Sequence, residues 1–77
     1  MRESTKKIVV ELLERELNAV KKGIYLIDAA IITAEAEKND SAIKTQNRLK
    51  RNALQRAEAL QNAISDVALA DLEEKNK

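Results

Sequence analysis

From Val10 onward the apolar residues recur every seven positions in two interleaved rows, Val10, Leu17, Ile24 and Ile31 in one and Leu13, Val20, Ile27 and Ala34 in the other. Alternating steps of three and four keep both rows on one stripe of an α-helix. No polar residue interrupts the stripe. It predicts a first helix over about 4–38, with Ser4 able to cap the first free amides.

The repeat stops at Lys38-Asn39-Asp40-Ser41. Lys38 suits a helix C-terminus, Asn39 tolerates a left-handed cap, and Asp40 or Ser41 can accept from the amides of a new helix. These signals place a turn at 39–41 and a second helix over about 41–74. A second pair of rows then follows: Ile43, Lys50, Ala57, Ile64 and Asp71 in one, Gln46, Ala53, Leu60 and Val67 in the other. It is weak near the turn and strong from Ala53 to Val67.

Gly23 is the internal irregularity. Lys21-Lys22-Gly23-Ile24 can be read as a glycine-capped helix end, which would make three helices. The repeat crosses Gly23 in phase, and a glycine inside a helix costs only about 1 kcal/mol, so one continuous helix is preferred.

Two stripes joined at a short turn make an antiparallel hairpin, in which facing residues lie equally far from residue 40. Leu13 then faces Val67, Val20 faces Leu60, Ile27 faces Ala53, Ile31 faces Leu49 and Ala34 faces Gln46. The same alignment brings Lys6 and Lys7 level with Glu73 and Glu74, Lys21 and Lys22 with Glu58, and Asp28 and Glu35 with Arg51 and Lys44. The expected fold is therefore all-α, a coiled-coil-like two-helix hairpin forming a single domain over 1–77. Its core would be Leu13, Leu17, Val20, Ile24, Ile27, Ile31, Ala53, Ala57, Leu60, Ile64 and Val67.

Composition makes this fold a weak one by itself. Seventy-seven residues bury too small a share of their surface for comfortable stability, and the chain has no Cys for disulfides or thiolate metal sites. More apolar residues are present than one stripe uses: Ile8, Leu12, Ala19, Leu26 and Ile32 lie off the first, and Leu49, Leu54, Ala63, Ala68 and Ala70 flank the second. Stripes this wide suit helices with two neighbours. The expectation is a homodimer that closes into a four-helix bundle, or another protein on the same face, with Leu12, Leu26 and Ile32 at the second interface.

Catalysis finds little to work with. There is no His, so Ser4, Ser41, Ser65 and Tyr25 lack an imidazole base, and the ligand set of a bundle metal centre is incomplete. Glu35, Glu37 and Asp40 read as a solvated helix end. No catalytic residue, metal, cofactor or small-molecule substrate is expected.

Net charge is +1, which gives no global attraction to polyanions. Locally, Lys44, Arg48 and Arg51 recur on one outward face, and no acid occurs between Asp40 and Glu58. This stripe could track phosphates, although acidic partners are expected alongside it from the first helix. Acidic residues from Glu11 onward interrupt any signal-peptide core, Asp28 breaks the longest apolar stretch, and Trp and Phe anchors are lacking. A cytoplasmic protein without a membrane partner is the expectation.

In layout the chain is similar to small phage, plasmid and bacterial regulators that dimerise as helical hairpins, one of which binds paired RNA loops across its bundle. Such a layout carries no function by itself. The function expected is a non-enzymatic interaction or regulatory module acting as a self-associating hairpin. A nucleic-acid-binding regulator using Lys44, Arg48 and Arg51, or a structural assembly component, are the alternatives.

Overall fold

The structure is a computed structural model that describes residues 2–75, with side chains described over 2–70. It consists of two long helices, α1 (Glu3–Ala36) and α2 (Asp40–Lys75), folded back along each other as an antiparallel hairpin. The molecule is a flat rod of 59 × 16 × 12 Å.

Helix α1 runs unbroken through Gly23, as its uninterrupted repeat requires. Its start differs from expectation. Arg2 is the extended residue before the first turn and makes no side-chain cap, while Ser4 already lies inside the helix. The acidic Glu3 in the first turn complements the helix dipole.

The turn comes earlier than expected, at 37–39. Lys38, with φ of 55°, takes the left-handed conformation that Asn39 was suited to. Its amide donates to the Glu35 carbonyl and that of Asn39 donates to the Ala34 carbonyl, the paired closure of a Schellman motif. Asn39 instead caps α2: its Oδ1 accepts from the Ala42 amide at 3.1 Å. One asparagine thus begins the second helix in place of Asp40 or Ser41.

Moving the turn changes the register. Ala36 and Asp40 bracket it, so level residues lie about equally far from Lys38. Leu13 comes level with Ala63 and Ile64, close to one helical turn from Val67, and each row of α1 comes level with the opposite row of α2. The Asp28–Lys50 ion pair, at 2.7 Å, follows the same register. Its lysine occupies a seam position and carries its ammonium to the seam's edge. Such a half-exposed pair adds at most about 1 kcal/mol, but it favours this alignment over its neighbours.

Every repeat position from Val10 to Ala34 and from Ile43 to Val67 is withdrawn from solvent, yet only Leu17 and Ala34 among them are buried, and neither completely. Asp71 of the second repeat, and Glu73 and Glu74 opposite Lys6 and Lys7, lie outside the described side chains. The exposed surface is 6169 Å². A compact protein of 8.6 kDa exposes about 4,700 Å², so the hairpin shows roughly 1,500 Å² more than its mass requires.

Candidate docking face

The seam divides the remaining surface into two broad sides. Each residue turns the helix by about 100°, so residues immediately preceding a seam residue project to one side and those immediately following project to the other. The ion pair between Glu16 and Arg56, both preceding residues, shows that the preceding positions of the two helices share one side of the hairpin.

That preceding side carries Val9, Leu12, Glu16, Ala19, Gly23, Leu26, Ala30 and Thr33 from α1. From α2 it carries Ala42, Thr45, Leu49, Asn52, Arg56, Ala59, Ala63 and Asp66. Leu12, Leu26 and Leu49 stand exposed among small residues. A Cβ placed on Gly23 would meet nothing within 4 Å, so nothing inside the hairpin requires a glycine there.

The following side differs. It carries Glu11, Glu14, Lys21, Asp28 and Glu35 from α1 and Lys44, Arg51, Glu58 and Gln61 from α2. Tyr25, Ile32 and Leu54 are exposed among these charges. The structure thus brings Leu12 and Leu26 together and sets Ile32 apart: six residues beyond Leu26, it lies about 120° around the helix. Leu49, expected opposite Ile31 in the seam, lies instead on the preceding side, exposed, where its spacing from Lys50 places it.

Lys44, Arg48 and Arg51 are exposed on α2, around an open depression that Ser41, Thr45 and Asn47 also line. Their expected acidic partners do not reach them. Asp28 takes Lys50 in place of Arg51, and among the described residues neither Glu35 with Lys44 nor Lys21 and Lys22 with Glu58 forms an ion pair. Among the described residues no three His, Cys, Asp or Glu converge as metal ligands, and no helix is long and apolar enough to cross a membrane.

Comparison with known protein families, curated proteins and solved structures finds no match to this chain.

Proposed function

We propose that the protein is a non-enzymatic interaction module, a helical hairpin that works by associating with itself. The surface carries this reading. An isolated hairpin leaves roughly 1,500 Å² of excess area, with only two of the described residues buried and large aliphatic side chains in solvent. A stable protein interface covers about 800 Å² on each partner, so one further contact accounts for much of the excess.

Each well-covered aliphatic side chain contributes about 1.5–3 kcal/mol, which the hairpin alone forgoes at Leu12, Leu26 and Leu49. Association would recover it and close a bundle. The test is thermal unfolding over a wide range of protein concentration. A midpoint that rises with concentration supports the reading, and one that stays constant counts against it.

A second reading, a nucleic-acid-binding regulator, draws on the unpaired state of Lys44, Arg48 and Arg51. Three cations on one exposed face, without an ion-pair partner among the described residues, can each neutralise a phosphate and release a counterion. No aromatic side chain stands among them for base stacking, so sequence-independent contact with the backbone is the mode they suit. Retention on immobilised nucleic acid with a steep salt dependence, lost in the triple Ala variant, is the expected result. Elution at low salt regardless of these residues would dismiss it.

A further inference from the structure

We infer that a second copy of the chain docks face to face on the preceding side, with α1 of each copy lying over α2 of the other. This rests on the self-association proposed above and names the surface and arrangement that perform it.

The small residues identify where close approach is possible. Gly23 is half-buried, a Cβ added there would meet nothing within 4 Å, and a glycine in mid-helix forfeits helix stability that an alanine would supply. Ala19 and Ala30 flank it on the same side, while Leu12 supplies bulk before them and Leu26 between Gly23 and Ala30. This pattern lets a second helix come near the α1 backbone while its own side chains fill the spaces between.

Symmetry and charge select the arrangement. A two-fold axis along the helices preserves level, so α1 meets the second copy's α2 in the register it keeps with its own. Leu26 then comes within one residue of level with Leu49 of the second copy, and Leu12 within one residue of Ala63. Glu16 meets Arg56 of the second copy at the same offset as its own Arg56, so two ion pairs become a mutually supporting group of four. At the rim, Lys22 and Arg15 come level with the neutral Gln55 and Asn62 of the second copy. Crossing α1 on α1 at Gly23 would instead bring the two Lys22 side chains together, a like-charge contact that opposes assembly.

The opposite side offers a matched control, because Ile32 and Leu26 are equally exposed at 68%. Leu26→Glu places two carboxylates in the symmetric interface and should weaken self-association by a factor of about 100 or more. Ile32→Glu should change it less than about threefold. Should Ile32→Glu dissociate the assembly while Leu26→Glu does not, the face is wrong and self-association stands. If the unsubstituted chain never associates, both readings fall.

The arrangement has its own test, independent of whether the Glu variants fold. The chain has no cysteine, so Leu26→Cys and Leu49→Cys chains can be mixed and oxidised. A cross-linked product containing one chain of each kind supports α1 over α2. Cross-linking of Leu26→Cys chains only with one another would overturn it.

Discussion

The two broad sides of the hairpin are built from residues one step either side of the same seam, and they differ in kind. One carries Leu12, Ala19, Gly23, Leu26, Leu49 and Ala63 with the paired Glu16 and Arg56 and with Asp66; the other carries Glu14, Lys21, Glu35, Lys44, Arg51 and Glu58 around the exposed Tyr25, Ile32 and Leu54. A hairpin acting alone gains nothing from this division, since both sides face water equally. The seam holds the helices together, and the sideways asymmetry is what a second body can read. Buried area and exposed pattern therefore bear on different properties, the first on folding and the second on association.

The comparison breaks most completely at the seam the two sides share. Leu17, 6% exposed, is the larger of the two buried side chains among the described residues, and Leu17→Ala should destabilise the fold by about 2–4 kcal/mol in denaturant unfolding. Both sides would lose definition together. A loss below about 1 kcal/mol would show that the seam is not what holds the helices.

Gly23→Ala sharpens the contrast because its two effects oppose each other. Within one chain the methyl group meets nothing and favours helix by about 0.5–1 kcal/mol, so helicity of the dilute protein should rise. At the docking face the same methyl obstructs the second copy, and the association constant should fall by about tenfold. Equal gains in both measurements would remove Gly23 from the interface.

Lys38→Gly should act on neither side. The left-handed backbone at φ of 55° suits glycine, so unfolding free energy should increase by up to about 1 kcal/mol with association unchanged. Replacing Lys44, Arg48 and Arg51 with Ala has the smallest expected effect on the assembly, within about 0.5 kcal/mol, because these residues lie off the docking side. A large loss of association in that variant would place the interface on the charged side instead.

Much of the architecture was legible because it depends on periodicity. The unbroken seven-residue rows from Val10 to Ala34 and from Ile43 to Val67 coincide with the residues withdrawn from solvent. The turn was less legible, since Asn39 satisfies the requirements of both a left-handed cap and an N-cap. The structure uses its side chain for Ala42 and leaves the left-handed backbone to Lys38. That shift carried the register by close to one helical turn and redirected Asp28 from Arg51 to Lys50.

The preceding side, where a second copy is proposed to dock, was half visible in the sequence. Leu12 and Leu26 stand out as apolar residues beyond the stripe, but their separation from Ile32 depends on counting angles from the seam. The contribution of α2, Leu49 beside Arg56, emerges only when the Glu16–Arg56 pair shows which flanks share a side. Leu49 itself looks like a seam residue whenever the turn is placed two residues late.

Sedimentation equilibrium of the unmodified chain, from low micromolar to millimolar concentration, tests the central claim most directly. The docking face predicts a concentration-dependent rise to twice the 8.6 kDa of one chain. A mass fixed at 8.6 kDa throughout that range would contradict it.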